Sequence, residues 1–527
     1  MAPRFSIVWP TPGYPALLEG GRHFSILVSH PSGGSVGLEH WARGLGLREL
    51  GGRRTIAVLL VEIKPADPAS LGSIVEGLAG LPHLRGLGFA RVRLAAPAPL
   101  GPAGARRVQL YDLVVGDRVA RSRCVAAWNA THDRLRVAFA SDIHWSVLWD
   151  CVADAATRHA PDLLPRMVHP RQMLGRLIDA ANHLAARGEL DLVVLGGDLV
   201  EHVHPAPERP GRQEESHVGQ LVGALTALSV PTIAVAGNHD WRLYPWRPRL
   251  YGLRAIGIPD GRVKPLLRAA GLWDPWPVRL SDFAALRTRA AGDSAGLAAH
   301  RSLVAPALDF ALTLHKTRLV FASTGCDILP RSCHVEGRRL GLFCRGLRHI
   351  WRDPDSEGFR DRQVAWIAQA LTGAHGAAVF FHAPLMRIPT AWGAGRHIGC
   401  FPPGAPECRK SQVEFERRLS RCDLRRGVAF RNPGAVLHAM AAAGCPVVAF
   451  SGHVHQTSAI AVDRHSWSFR TAGLSADEWS PDDVTLVTAP AVAQLRSEQP
   501  EPPGYLLAEF VDGRLARLEK RELRVGI

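Results

Sequence analysis

Five apolar runs between residues 135 and 451 each lead directly into polar side chains, and this repeated ending constrains the fold more than any other feature. In one of them, the run 192–195 (LVVL) is followed by two glycines and the lone carboxylate Asp198. Segments with apolar residues at helical spacing, such as 171–188, lie between several of the runs. Alternating strands and helices predict an α/β fold with helices packed on the faces of a sheet.

The residues that end the five runs are all metal ligands or acid–base groups by type. Loops at the carboxyl ends of strands form the ligand site of an open α/β sheet, so these side chains are expected to meet. A lone Asp after a strand is usually a helix cap, and a lone buried His is usually a hydrogen-bonded core residue. Five such endings together favour one site. Its candidate residues are Asp142, His144, Asp198, Asn238, His239, His382, His453 and His455.

A cluster of carboxylate, imidazole and amide groups needs positive charge, because two carboxylates repel each other and resist burial. A pair of divalent metal ions meets this need and would form a two-metal hydrolytic centre. Mixed oxygen and nitrogen ligands suit Mn, Fe, Zn or Co, and the choice among these four stays open.

The five endings read SDIHW, GGDLV, AGNHDW, FHAPL and SGHVH. In this order they resemble the motifs of the calcineurin-like metallophosphoesterase superfamily, which are D-x-H, G-D, G-N-H-D, H and G-H-x-H. The complete ordered set is specific, whereas D-x-H or G-D alone is weak evidence. The resemblance implies the four-layer α/β/β/α sandwich of that superfamily. The stretch RRVQLYDLVVG (106–116) looks like the end of the β-sandwich that precedes the catalytic domain in some members.

We therefore predict an N-terminal β-rich, sandwich-like domain over residues 1–132 and a catalytic domain over residues 133–527. Two irregular stretches rich in Pro and Arg, about 242–305 and about 386–432, are predicted insertions that either line the site or decorate the surface. A β-hairpin with an Asp-Gly turn is predicted at about 505–524.

The resemblance also implies the reaction, which is hydrolysis of a phosphoester bond by a hydroxide held between two metals. The bond would belong to a phosphomonoester, a phosphodiester or a pyrophosphate, and the sequence leaves these three open. The implied ligands are Asp142, His144 and His455 for the first metal, Asn238, His382 and His453 for the second, and Asp198 for both.

The resemblance gives the remaining motif residues roles outside the ligand set. His239 would protonate the leaving oxygen or stabilise the transition state, and Asp240 would orient His239. Purple acid phosphatases have a Tyr ligand where this chain has Glu201, and they tend to have Gly in place of the His of D-x-H. The pattern is therefore closer to bacterial phosphodiesterase-like members. His202 and His204 match no motif position.

Net charge, apolar runs and cysteine content indicate which partners and which cellular location to expect. The net charge of +15 indicates either a surface for nucleic acid or scattered Arg. No segment packs five or six basic residues together, which favours scattered charge. No apolar run reaches the roughly 18 residues of a membrane span, and no export signal is recognisable, so a cytoplasmic protein is expected. Nine cysteines without a C-x-x-C pair indicate reduced thiols.

The alternative to an enzyme is a catalytically inactive scaffold or binding protein that keeps the metallophosphoesterase fold. Members of this kind usually lack the His of G-N-H-D or several ligands. Here all of these residues are present, which favours an enzyme whose partner is a phosphorylated substrate.

Overall fold

The structure is a computed structural model, and it describes most of the strands and helices that surround the five motifs. The predicted insertions lie largely outside the described residues, and Asn238, His202 and His204 lie outside them entirely. The described ranges are 5–18, 22–31, 37–50, 52, 54–66, 84, 86–100, 107–128, 133–146, 148–166, 168–201, 217–237, 239–240, 260–270, 299–324, 358–386, 397–399, 432–465, 469–475, 479–480, 482–493 and 501–524.

The described residues before 133 form nine strands and one short helix. One sheet has the order β1-β3-β7-β6 and the other the order β2-β9-β8-β4-β5. Their facing sides bury a shared apolar core that includes Ile26, Val92, Leu113 and Val125, so this part is a β-sandwich. The elements are β1 (Ser6–Trp9), β2 (Ala16–Leu17), β3 (His23–Pro31), α1 (Leu38–Arg43), β4 (Leu45–Glu49), β5 (Thr55–Ala57), β6 (Leu59–Pro65), β7 (Leu87–Ala95), β8 (Val108–Val115) and β9 (Arg118–Trp128).

Among the described residues from 133 onward, thirteen strands form two sheets. The first sheet has the order β12-β11-β10-β21-β22, and the second has the order β13-β14-β15-β17-β20-β18-β19-β16. The strands are β10 (Arg134–Ala140), β11 (Leu192–Leu195), β12 (Thr232–Ala234), β13 (Phe310–Leu314), β14 (Thr317–Phe321), β15 (Gly376–Phe380), β16 (His397–Gly399), β17 (Val447–Ser451), β18 (Ser458–Asp463), β19 (Phe469–Ala472), β20 (Asp483–Thr488), β21 (Gly504–Val511) and β22 (Arg514–Glu522).

The strands that lead into the motifs are parallel within each sheet. In the first sheet β10 pairs with β11 and β11 with β12. In the second sheet β15 pairs in parallel with β14 and with β17. Parallel neighbours end at the same edge, so each sheet presents its motif loops along one edge. Strands β21 and β22 pair antiparallel and extend the first sheet on the side away from β11.

Strand β10 shows why the apolar runs are continuous rather than alternating. Its side chains at Leu135, Val137 and Phe139 belong to the core between the two sheets. The intervening Ala138 and Ala140 belong to the core beneath the outer helices. Both faces of the strand are covered from Val137 onward, so its last four positions are all apolar.

Helices cover the outer face of each sheet. Helices α3 and α4 pack on the first sheet, and α6 and α7 pack on the second. The predicted α/β/β/α sandwich with an N-terminal β-sandwich is confirmed, while the exact domain boundary at residue 132 stays a prediction. The helices are α2 (Leu148–His159), α3 (Pro170–Ala186), α4 (His217–Leu225), α5 (Asp260–Ala269), α6 (Asp361–Leu371) and α7 (Pro433–Ala441), with a 3₁₀ turn at Pro161–Arg166 and a π turn at His300–Val304.

The apolar face predicted for residues 171–188 is the buried face of α3. Its buried residues include Met173, Leu174, Leu177, Ile178 and Ala181. The helix begins after His169, whose side chain accepts a hydrogen bond from a backbone amide of the first turn, and Pro occupies the first helical position. None of the described helices is long and apolar enough to cross a membrane.

The N-terminal β-sandwich covers the free edge of β12. The Ala234 amide donates to the Gly13 carbonyl over 2.9 Å, and the Gly13 amide donates to the Val304 carbonyl over 2.9 Å. A Cβ at Gly13 would lie 2.7 Å from that carbonyl, so the close approach requires glycine. Tyr14 then stacks on Phe310 with 3.9 Å between ring centroids. An edge strand that leads to the G-N-H-D motif is thereby paired rather than exposed.

His300 lies buried in the π turn beside α4, and it gives the fold a measurable pH dependence. Burial, with a smaller effect of Arg301, lowers the pKa of His300 to about 3 from the ordinary value of 6.5. The unfolded chain therefore binds a proton between pH 6.5 and 3 that the folded chain does not bind, and stability falls as the pH drops through this window. From pH 7 to pH 5 the expected loss is about 2 kcal/mol from this residue.

We predict that His300→Leu removes this loss, because leucine has no proton to bind. The test is the free energy of urea unfolding at pH 7 and pH 5 for both proteins. His159→Leu, at an exposed helix end, is the matched control. An equal pH dependence in wild type and His300→Leu would contradict the prediction.

Candidate metal centre

The motif loops of both sheets meet at one place. Asp142 and His144 follow β10, Asp198 follows β11, and His239 and Asp240 follow β12. The second sheet contributes three histidines to the same place. His382 follows β15, and His453 and His455 follow β17. The structure therefore brings together every described candidate residue of the sequence.

The first group of candidate ligands is buried around one carboxylate oxygen. His455 Nε2 lies 3.1 Å from Asp142 Oδ1, and His144 Nε2 lies 3.7 Å from the same oxygen. One ligand atom from each residue lies within 4.8 Å of the others. Within the described residues, Asp142 Oδ1 and His144 Nε2 have no well-formed hydrogen bond. Buried polar atoms in proteins normally have a bonding partner, and a divalent cation is a suitable partner for the one oxygen and two nitrogens of this group.

The second group contains Asp198, His382 and His453. His382 Nε2 lies 3.1 Å from Asp198 Oδ2 and 3.2 Å from His453 Nδ1. His382 Nδ1 faces the Gly196 carbonyl at 2.8 Å, so its proton sits on that side and Nε2 is the nitrogen available to a metal. The three ligand atoms lie within 4.8 Å of one another.

Asp198 lies between the two groups. Its Oδ2 is 3.1 Å from His382 Nε2 on one side and 3.9 Å from His144 Nε2 on the other. Its Oδ1 accepts a hydrogen bond from the His239 amide over 2.8 Å. One oxygen therefore faces both groups while the other is held by the backbone.

Burial and neighbouring charge act in opposite directions in this centre. Burial alone would raise the pKa of Asp142, but His455 holds that pKa well below its usual range. Burial likewise opposes ionisation of Asp198, and His382 lowers its pKa. In return Asp198 raises the pKa of His382 to about 9 although burial lowers it. The two carboxylates are ionised, the His382 ring beside Asp198 is protonated, and a bound cation would exchange for that proton.

The backbone at the ligands is in an unfavourable conformation. Residues with a Cβ rarely adopt positive φ, and each such residue costs about 1–2 kcal/mol. Five candidate ligands adopt it, at φ values between 50° and 69°. Concentration of this strain at the motif loops supports a functional role for them. The five are Asp142, His144, Asp198, His453 and His455.

Glycines allow the loops to cross closely. A Cβ on Gly237 would overlap with the amide nitrogen and Oδ1 of Asp198. A Cβ on Gly452 would lie 2.6 Å from Asp142 Oδ2. Each glycine therefore belongs to one motif and makes room for the carboxylate of another.

Asp240 accepts hydrogen bonds from three backbone amides, and its expected role in orienting His239 stays a prediction. Its Oδ1 accepts hydrogen bonds from the amides of Leu199 (2.7 Å) and Val200 (3.1 Å), and its Oδ2 accepts one from Gly237 (2.7 Å). The buried carboxyl, whose pKa burial and then Asp198 raise to about 7, ties the β11 loop to the β12 loop. At His239 Nδ1 the structure places the Glu201 carbonyl.

Glu201 is the residue that sequence reasoning missed. Its side chain is buried, and Oε2 lies 2.8 Å from His144 Nδ1. Burial lowers the pKa of His144, and Glu201 is the foremost of the charges that raise it well above its usual value. Its signal in the sequence is a carboxylate three residues after Asp198, at the position where purple acid phosphatases have a Tyr ligand.

The comparisons with known proteins agree with the motifs. Residues 135–304 match the family model described as calcineurin-like phosphoesterase. That stretch contains D-x-H, G-D and G-N-H-D, and the remaining motifs follow it in the expected order. The family match over residues 135–304 and the five ordered motifs support placing the chain in the calcineurin-like metallophosphoesterase superfamily. No curated protein matches it at a significant level.

Solved structures with low sequence identity resemble the chain. The purple acid phosphatase PPD1 from yellow lupin (Lupinus luteus) seeds is 10% identical, with a TM-score of 0.37 over 96% of this chain and 73% of that chain. PhoD is 12% identical, with a TM-score of 0.36 over 97% and 86%. A metallophosphoesterase from Sphaerobacter thermophilus is 14% identical, with a TM-score of 0.24 over 74% and 89%. The superfamily assignment rests on the family match and the motifs.

We predict that Gly237→Ala weakens metal binding, because the added Cβ displaces Asp198. The expected loss of Mn²⁺ affinity is roughly 10–100-fold, as for other changes next to metal ligands. Gly175→Ala in α3 is the matched control, since a Cβ there meets nothing within 4 Å. Calorimetric titration with Mn²⁺ measures the affinity, and circular dichroism checks the fold. Equal affinities in the two variants would contradict the proposed crowding at Asp198.

Proposed function

We propose that the chain hydrolyses phosphoester bonds with a pair of divalent metal ions. The observation that carries this proposal is the position of Asp198 Oδ2 between two groups of buried ligand atoms. The family assignment supports phosphoester hydrolysis in general. The two-metal count and the residue roles are our proposal.

The mixed donor set fits this assignment. In the proposed centre, Asp198 would be a ligand shared by both metals, and imidazole nitrogens would complete each ligand set. Bound divalent metals would supply a nucleophile at neutral pH and neutralise charge on a phosphoryl group. The proposed ligands are Asp142, His144 and His455 for one metal, Asn238, His382 and His453 for the other, and Asp198 for both.

His239 is the proposed proton donor. Its Nδ1 faces the Glu201 carbonyl, which leaves Nε2 as the nitrogen that exchanges a proton with a substrate. That Nε2 lies 3.9 Å from Asp198 Oδ2, so it is beside the proposed bridging group. The His239 side chain is 13% exposed, against 3% for His144, and this places it at the accessible side of the centre. A ring in this position can protonate the leaving oxygen.

The remaining buried groups hold these side chains in place. Asp240 accepts three backbone hydrogen bonds and links the loops that present Asp198 and His239. Preorganised groups of this kind need little rearrangement during the reaction. The phosphorylated substrate could be a monoester, a diester or a pyrophosphate, and we make no narrower assignment.

We predict that His239→Ala keeps its bound metal but lowers kcat by about 10²–10⁴-fold, because it removes the proton donor and no ligand. Asp198→Ala should lose metal, because both groups share this carboxylate. Metal content and hydrolysis of an aryl phosphomonoester and a bis-aryl phosphodiester with Mn²⁺ measure the two effects. His183→Ala, exposed on α3, is the control.

Two results would contradict the proposal. Full metal occupancy in Asp198→Ala would show that the bridging role is wrong. A wild-type protein with no metal-dependent activity on either ester, or on a panel of nucleotides, would favour the inactive scaffold.

A further inference from the structure

Backbone pairing holds Glu201 beside the centre. The His144 amide donates to the Asp198 carbonyl and the Trp145 amide to the Leu199 carbonyl, each over 2.9 Å. The Glu201 amide then donates to the Trp145 carbonyl over 3.0 Å. This ladder joins the loop after β11 to the loop after β10, and it fixes Glu201 next to His144.

Glu201 contacts two histidines through two different groups. Its carboxylate Oε2 lies 2.8 Å from His144 Nδ1. Its backbone carbonyl lies at His239 Nδ1. The two rings meet edge to face, with 4.8 Å between centroids and an angle of 84° between their planes. One residue therefore faces the outer nitrogen of both rings.

Each contact places an acceptor oxygen beside the Nδ1 of a ring, as an ion-pair contact at His144 and as a hydrogen bond at His239. An imidazole that donates its Nδ1 proton to an acceptor keeps Nε2 for a metal or a proton. His144 Nε2 lies 3.7 Å from Asp142 Oδ1, and His239 Nε2 lies 3.9 Å from Asp198 Oδ2. Both inner nitrogens therefore lie within 4 Å of a carboxylate oxygen of a proposed ligand.

We propose that Glu201 is a positioning residue of the centre, whose side chain strengthens His144 as a ligand and whose backbone carbonyl directs His239. The inference deepens the proposed function and rests on it for the roles of the two histidines. It assigns a use to a buried carboxylate, which is otherwise unfavourable. The effects of Glu201 on His144 and on His239 can be tested separately, because substitution of Glu201 changes the side chain that contacts His144 and keeps the backbone carbonyl that contacts His239.

The test uses Glu201→Gln and Glu201→Ala in the full chain. Glutamine keeps the shape and an acceptor oxygen but loses the charge, whereas alanine removes the acceptor. Mn²⁺ affinity, titrated without substrate, should fall in the order Glu, Gln, Ala, with a 10–100-fold loss for alanine. Glu509→Gln on β21, which removes a carboxylate that pairs with Arg134 and Arg136, is the matched control.

A second readout separates ligand strength from proton donation. In Glu201→Ala the Mn²⁺ concentration for half-maximal hydrolysis should rise 10–100-fold, while the maximal rate falls much less. His239→Ala should show the opposite pattern, with a low maximal rate at every Mn²⁺ concentration. Thermal unfolding of the metal-free proteins checks that both Glu201 variants fold, and Glu201→Gln alone suffices if alanine does not fold.

Three outcomes would overturn the proposal. Wild-type Mn²⁺ affinity in both variants would show that the contact with His144 has no effect. Loss of one whole equivalent of Mn²⁺ in Glu201→Gln would make Glu201 a ligand instead. A wild-type protein that binds no Mn²⁺ would reject the proposal together with the two-metal centre. By contrast, a wild type that binds Mn²⁺ but hydrolyses no phosphoester rejects only the proposed function.

Discussion

The packing of the two sheets face to face is the interaction on which the centre depends. Phe139 of the first sheet meets Phe380 and Phe450 of the second, with ring centroids 5.7 Å and 5.5 Å apart. Phe380 and Phe450 stack on each other at 5.2 Å. These rings lie near the carboxyl ends of β10, β15 and β17, only a few residues before the motif loops. Apolar burial between the sheets therefore sets the distance between ligands that come from different sheets.

Once the sheets are packed, the loops must cross at very short range. Gly237 and Gly452 permit this, and Asp240 ties two of the loops together through backbone amides. Ligand residues in these loops adopt positive φ, and two mutually repelling carboxylates, Asp142 and Asp198, are buried with one oxygen each within 4 Å of His144 Nε2. The stability of the sandwich supports this strain, and a pair of cations would relieve the repulsion. Fold and chemistry are thus coupled through Asp142 and Asp198.

Strand endings and helix periodicity are local patterns, so they predict the α/β fold and the candidate residues, whereas the four-layer arrangement follows only from the family resemblance. The buried face of α3 follows directly from its spacing. The hydrogen-bond and ion-pair partners of Asp240 and Glu201 could not be predicted from local sequence patterns. They depend on how the loop after β11 pairs with the loop after β10, and that register is set by tertiary packing. Asn238 lies outside the described residues, so its ligand role stays a prediction.

The central claim is that two metal ions share Asp198, and the most direct measurement locates them. Crystals grown with Mn²⁺ would be examined by anomalous scattering, with the metal content of the same preparation determined by mass spectrometry. We predict two Mn²⁺ per chain, roughly 3.5–4 Å apart, on either side of the Asp198 carboxylate. A single ion, or ions bound away from Asp198, would contradict it.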